Sequence, residues 1–153
     1  MEQRKGDNGE AIASSMLELS KLKVPVIAIV IGEGSSGGAL ALGVGNKVFM
    51  LENAIYSILS PEGYASILWK DSSRTKEAAE KMKLTAKDLF ELKIIDKIIK
   101  EPKGDEEESF LKVARNLKKE IQKTIEEMKD KSPDMIVEER YHKFRNMGEY
   151  KFI

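Results

Sequence analysis

Residues 23–38 read Lys-Val-Pro-Val-Ile-Ala-Ile-Val-Ile-Gly-Glu-Gly-Ser-Ser-Gly-Gly, and this stretch decides the fold. Its first nine residues are nearly all apolar and mostly β-branched. A run of that kind predicts a strand buried on both faces, as in a parallel or α/β sheet. Pro25 sits near the start, where a strand tolerates it. The glycine-rich turn Gly32–Gly38 comes next, and Ala39–Leu42 then predicts a short apolar helix closed by Gly43 and Gly45. Strand, glycine turn and helix in that order indicate an α/β protein.

The elements on either side agree. Ile12, Met16, Leu17 and Leu19 give Glu10–Lys21 an amphipathic helical pattern. Lys47–Leu51 and Ala54–Leu59 read as two further strands. Ser60-Pro61-Glu62 is a helix start, with a capping Ser, Pro at the first helical position and an acid in the first turn. Thr85 and Asp88 form a capping box with Asp in place of Glu. A helical stripe from Phe110 to Met128 lies within Glu106–Asp130, and Ser132-Pro133 opens a last helix that ends near Gly148. Pro102 and Gly104 mark a soft boundary. It separates a core unit, 1–101, from a charged helical C-terminal tail, 102–153, packing on the core or on a neighbouring subunit. Three strands make too small a sheet to bury Val24–Ile31 on both faces. Either the chain oligomerises or strands come from elsewhere.

The chain has 153 residues, 26 basic and 26 acidic side chains, and a formal net charge of zero. A neutral balance argues against nucleic acid or an anionic membrane surface as partner. No apolar run reaches the length of a membrane span, and no secretory signal is visible at the start. The charge is uneven, with 13 charged side chains in residues 1–70 and 39 in residues 71–153. There is no Cys and one His, His142. Disulfides, a Cys nucleophile and a multi-His metal site within one chain are therefore excluded.

The glycine turn has three chemical readings. In the first it is an oxyanion hole, in which the peptide N–H groups of Gly37 and Gly38 stabilise an enolate-type oxygen without any side chain. In the second, Gly34-Ser35-Ser36-Gly37-Gly38 satisfies G-x-S-x-G, with Ser36 as a hydrolase nucleophile and His142 as its base. In the third, Gly32, Gly34 and Gly37 carry the dinucleotide-binding spacing, with Glu52 as the acid about 20 positions on. The helix between is short for that crossover. A purely structural reading also stands, in which the glycines make a tight turn packed against the core.

Taken together, 32–45 (GEGSSGGALALGVG), 50–63 (MLENAIYSILSPEG) and 65–71 (ASILWKD) strongly resemble the carboxyltransferase α subunits of bacterial-type and plastid acetyl-CoA carboxylase. The likeness continues through Leu84–Pro102, and the closing Arg140-Tyr-His-Lys-Phe-Arg145 is similar to the family's C-terminal end. The resemblance implies a crotonase (ClpP-like) superhelix of ββα units, here incomplete. It implies an α2β2 assembly with active sites between α and β subunits. It also implies transfer of the carboxyl group from carboxybiotin, on the biotin carboxyl carrier protein, to acetyl-CoA, giving malonyl-CoA. By position in the motif, Gly37 and Gly38 would stabilise the biotin ureido oxyanion, and Glu33, Gly34, Ser35 and Ser36 would line the substrate site. The metal of such complexes would lie on the β subunit, with none on this chain.

The chain departs from the family pattern in several places. It matches only the C-terminal part of an α subunit, so activity is expected only with the β subunit and the part that precedes. An inactive, interface-binding fragment is the non-enzymatic alternative. Ser35 stands where relatives often have Gly, which a negative φ would allow. Gly6-Asp7-Asn8-Gly9 looks like an insertion, and Tyr64 replaces a smaller residue. Glu33 is expected to cap or pair locally if it has no role with ligand. Trp69 and Phe90 read as core or interface residues, and the lysines from Lys112 to Lys131 as a solvated face.

Overall fold

The computed structural model describes residues 8–103 and 106–148. Seven helices and five strands alternate along them, with a 3₁₀ turn at Ser72–Arg74. In chain order they are α1 (Asn8–Lys21), β1 (Ile27–Val30), β2 (Glu33–Ser35), α2 (Ser36–Leu42), β3 (Lys47–Leu51), β4 (Ile55–Ser57) and α3 (Pro61–Trp69). Then follow α4 (Thr75–Lys81), α5 (Ala86–Glu91), β5 (Lys97–Ile99), α6 (Glu106–Met128) and α7 (Pro133–Arg145). The α/β reading holds. Residues 6 and 7 of the expected insertion lie outside the described residues.

The strands form two parallel sheets, one ordered β1-β3-β5 and the other β2-β4. Two of these strands escape sequence reading. β2 lies inside the glycine turn and is three residues long. β5 is also three residues, flanked by Lys and Asp rather than by turn residues. β3 is the central strand of its sheet and the most buried, with Val48, Phe49 and Met50 all inside. Its neighbours Ala54, Ala86, Leu89 and Ile95 complete the main core. At the β3–β5 seam Asp96 N donates to Val48 O at 2.8 Å, and Asp96 Oδ2 accepts from Val48 N at 2.7 Å. A one-residue slip would break both bonds, so they pin the register.

β1 corrects one expectation. It is half-buried along its whole length, not buried on both faces, because it pairs with β3 on one side only. Its apolar character outruns the cover available. Ile31, just past the strand, is 71% exposed, and Leu42 at the end of α2 is 72% exposed.

The caps follow the sequence. Ser60 Oγ accepts from Gly63 N at 3.2 Å, and Ser132 Oγ accepts from Met135 N at 3.2 Å. Thr85 Oγ1 accepts from Asp88 N at 3.3 Å and donates to Asp88 Oδ2 at 2.7 Å. Phe90 is not core, being 48% exposed. Trp69 packs edge-on against Tyr64, and the Arg74 guanidinium lies 4.0 Å from its ring centroid. The tail lysines form a solvated face, in exposed pairs such as Lys112–Glu108 and Lys123–Glu127. α7 reaches back to the core through Arg140, whose side chain is buried beside Asn46.

Candidate functional site

β1 delivers the chain to Gly32, and the turn that follows is more ordered than a loop. Glu33, Gly34 and Ser35 pair in parallel with Ile55, Tyr56 and Ser57 of β4. Ser36 then takes φ +61°, one of the few non-glycine residues in the left-handed region. That reversal swings the chain directly into α2, of which Ser36, Gly37 and Gly38 are the first three residues. First-turn N–H groups have no acceptor within their own helix.

The two glycines differ in why they are glycines. A Cβ on Gly37 would lie 2.4 Å from Ile12 Cδ1, because α1 packs against α2 there. A side chain there would require the Ile12 terminal methyl to move. A Cβ on Gly38 would meet nothing within 4 Å. Gly38 is exposed, and packing does not require a glycine at that position. Ser35 is the N-cap of α2, at φ −141°, so a side chain fits there without strain. An N-cap Ser ordinarily accepts from the N2 or N3 amide, here Gly37 or Gly38. This one makes no such bond. Its hydroxyl lies 3.2 Å from Ser57 Oγ instead.

Glu33 and Gly34 line a different part of the surface. With Ile29, Ile31, Leu42 and Tyr56 they border an apolar cleft of about 420 Å³ between β1 and α2. Glu33 contributes the one charge in that lining, and its carboxylate has no hydrogen bond or ion pair among the described residues. The expectation that it caps or pairs locally fails. Its extended position in β2 holds it away from the α2 terminus. Gly37 and Gly38 do not line this cleft, so the structure divides the expected site residues into two groups.

Tyr56 is the residue that sequence reading passes over. Its ring lies 3.1 Å from where a Gly34 Cβ would be, and its hydroxyl 2.4 Å from where a Gly43 Cβ would be. The hydroxyl donates to Ala39 O at 3.4 Å. Burial pushes the phenol above its ordinary value of 10.0, so it remains a neutral donor at working pH. The pairing of Tyr56 with two glycines in one motif is the only signal that could have found it.

The other readings of the turn do not survive. Ser36 is exposed, and its hydroxyl has no partner among the described residues. His142 sits on α7, 3.6 Å from Glu138 and edge-on to Tyr141, so it is a surface residue and not the base of a triad. Glu52 is unavailable to a ribose, since it accepts from Lys100 Nζ at 2.6 Å and from Glu101 N at 3.3 Å. Those bonds hold its carboxyl below the ordinary 4.5, Lys100 first and the Glu101 amide second. Among the described residues no cluster of His, Asp and Glu could hold a metal ion, and no helix is long and apolar enough to cross a membrane.

Known proteins resemble this chain in sequence and in fold. The chain is 61% identical over 139 residues to the acetyl-coenzyme A carboxylase carboxyl transferase subunit alpha of Clostridium perfringens, covering 91% of this chain and 51% of that protein. It is 54% identical over 141 residues to the same subunit of Listeria monocytogenes, covering 92% and 44% respectively. The chain thus spans about half the length of the curated relatives it matches. In three dimensions it is similar to a chain of a Pseudomonas malonate decarboxylase hetero-tetramer solved with coenzyme A. The TM-score is 0.68 at 14% identity, over 92% of this chain and 56% of that one. It is also similar to the transcarboxylase 12S core, with a TM-score of 0.63 at 17% identity over 86% of this chain and 24% of that one. The described fold is therefore one found in carboxyltransferases and decarboxylases. Residues 1–148 match the family model described as acetyl co-enzyme A carboxylase carboxyltransferase-like, and the chain belongs to that family.

Proposed function

We propose that this chain is the C-terminal part of a carboxyltransferase α subunit and carries the half of the active site that faces biotin. The reaction is transfer of a carboxyl group from carboxybiotin on the biotin carboxyl carrier protein to acetyl-CoA, giving malonyl-CoA. The observation that carries this reading is an exposed Gly38 that packing does not require, next to Gly37 in the first turn of α2, in a chain of this family.

The residues present suit a neutral ring that gains negative charge during reaction. Gly37 and Gly38 offer neutral N–H donors, and the cleft lined by Glu33 and Gly34, which those two glycines do not border, is apolar. Donors fixed before the reaction need no reorganisation as charge builds, which is why such groups lower barriers more than they strengthen ground-state binding. One donor of this kind is worth about 3 kcal/mol. Carboxybiotin supplies the carboxyl group. Gly37 and Gly38 hold the ureido oxygen, while Gly34, Glu33 and Ser36 shape the approach, with Ser35 held in the wall by Ser57. The acyl-CoA would be held by the β subunit across the interface. An incomplete crotonase superhelix fits the exposed Ile31 and Leu42 beside the open edge of β1, which further strands would cover. The assembly is α2β2 and cytoplasmic, and this chain alone is inactive.

The test is malonyl-CoA-dependent carboxylation of free biotin by this chain mixed with its β subunit and the protein that supplies the rest of the α subunit. Activity from the full set and none from this chain alone is the expected result. No activity from the full set would overturn the assignment.

A further inference from the structure

Helices α1 and α7 leave an apolar groove open between them. Met16, Leu17, Val137, Tyr141 and Phe144 line it, with Leu40 of α2, around a volume of about 720 Å³. Leu17 is 53% exposed and Tyr141 57% exposed on its walls. Contiguous exposed apolar surface marks a place where another segment or molecule seats.

A segment able to cover the groove starts beside it. Phe144 and Arg145, in the last turn of α7, both line the groove. The chain then stays close to that turn, since Asn146 N donates to His142 O at 3.0 Å and Met147 N to Phe144 O at 3.3 Å. Gly148 follows at φ +84°, the left-handed conformation with which chains turn away from a helix end. The next residues, 149–153, lie outside the described residues and read Glu-Tyr-Lys-Phe-Ile. Tyr150 and Phe152 are two positions apart, so an extended chain puts both on one face and Glu149 and Lys151 on the other. Such a segment reaches up to about 17 Å. From Val137 to Phe144 is about 10 Å along the helix axis, so the segment is long enough to run the α7 wall.

We infer that residues 149–153 fold back as a strap, with Tyr150 and Phe152 seated between α1, α2 and α7. The segment is tethered at the mouth of the groove, which gives it a higher local concentration than a second copy or a separate chain. Other exposed apolar residues, such as Ile67 and Leu68 on α3 or Phe110 on α6, stand on elements from which this segment does not leave. Leu40 lies in α2 and Gly43 is its C-cap, and both line the groove. The strap therefore braces α2, whatever reaction the protein performs.

The experiment compares the full chain with one ending at Gly148, each with and without Leu17→Ala. Truncating an exposed side chain changes stability little, and truncating a covered one changes it more. Leu17→Ala should shift the urea midpoint about twice as far in the full chain as in the shortened one. Equal shifts in both overturn the inference. A second readout needs no difference in stability. Trp69→Phe removes the chain's single Trp, and Phe152→Trp then supplies the only indole. Its emission should be blue-shifted from that of free tryptophan and should move to the red when Leu17→Asp is added. Emission at the free-tryptophan wavelength, or no response to Leu17→Asp, overturns the inference. So does a blue shift that vanishes on dilution, which would put the segment in the groove of a second copy. The blue shift should persist in the reconstituted complex, and its loss there would give the groove to a partner chain and overturn the inference too.

Discussion

Asn46 and Arg140, 94 residues apart in sequence, meet inside the molecule. Asn46 Oδ1 accepts from Arg140 Nε at 3.1 Å and from Nη2 at 2.7 Å. Arg140 is 1% exposed, yet no carboxylate pairs with it among the described residues. Its partners besides Asn46 are main-chain carbonyls of Leu19, Ser20, Leu22 and Val24, at and just beyond the end of α1. A guanidinium suits that place, because its fork of donors meets several orphan carbonyls and its charge opposes the helix dipole. Asn46 also accepts from Val26 N at 3.1 Å and donates to Ile136 O at 2.8 Å. One amide side chain thus joins β1, α7 and the start of β3.

Replacing Asn46 should therefore cost far more than an ordinary polar substitution. Asn46→Ala strands a buried guanidinium edge, the Val26 amide and the Ile136 carbonyl, for a loss of about 3 kcal/mol. Asn46→Asp keeps an acceptor for Arg140 and loses the donor to Ile136, so the loss should be smaller, about 1 kcal/mol. Urea unfolding midpoints of the two variants give the ranking. Equal losses would show that Arg140 does not depend on this acceptor.

The two glycines of α2 should separate function from packing. Gly38→Pro removes one N–H in the first helical turn, where no helical bond depends on it. The unfolding midpoint should change little, and kcat of the reconstituted enzyme should fall about 100-fold. Gly37→Val should lower both, since its side chain would press on Ile12. An active Gly38→Pro enzyme would remove that amide from the mechanism.

Gly43 and Tyr56 should show compensation. Gly43→Ala places a methyl 2.4 Å from the Tyr56 hydroxyl, for an overpacking loss of about 1–3 kcal/mol. Adding Tyr56→Phe removes the hydroxyl and should return part of that stability. Thermal unfolding of both single variants and the double variant tests the pair. Additive losses would place the strain elsewhere, for instance at Ala39 O, 3.0 Å from the same methyl.

Acid should loosen the fold through its clasped carboxylates. Glu52 is held below 4.5 by Lys100, Glu77 below 4.5 by Arg74, and Asp88 below 3.8 by Thr85. In each case the folded value lies under the unfolded one. Their contribution is therefore complete above the unfolded value and is lost as pH falls through the folded one. The unfolding midpoint should drop from about pH 5 downward, and Glu52→Gln should flatten part of that slope. An identical slope in Glu52→Gln would show that the Lys100 clasp is not part of it.

Much of this protein could be read from residues alone. The apolar run Val26–Val30, the glycines, the Ser60, Thr85 and Ser132 caps and the helical stripe of α6 are all local signals, because each depends on neighbours within a few positions of the chain. Family resemblance lay in the same local strings. What tertiary structure decided depends on partners far apart in sequence. β2 and β5 are too short to have a period of their own, and exist because β4 and β3 pair with them. Tyr56 could be seen as a strut only when Gly34 and Gly43 lay on either side of it. The same holds for Ser35, which by its position alone is an ordinary helix cap. Its hydroxyl meets Ser57 Oγ across the sheet instead, because β2 and β4 pair in register, and Ser36 at φ +61° turns the chain between it and the glycines.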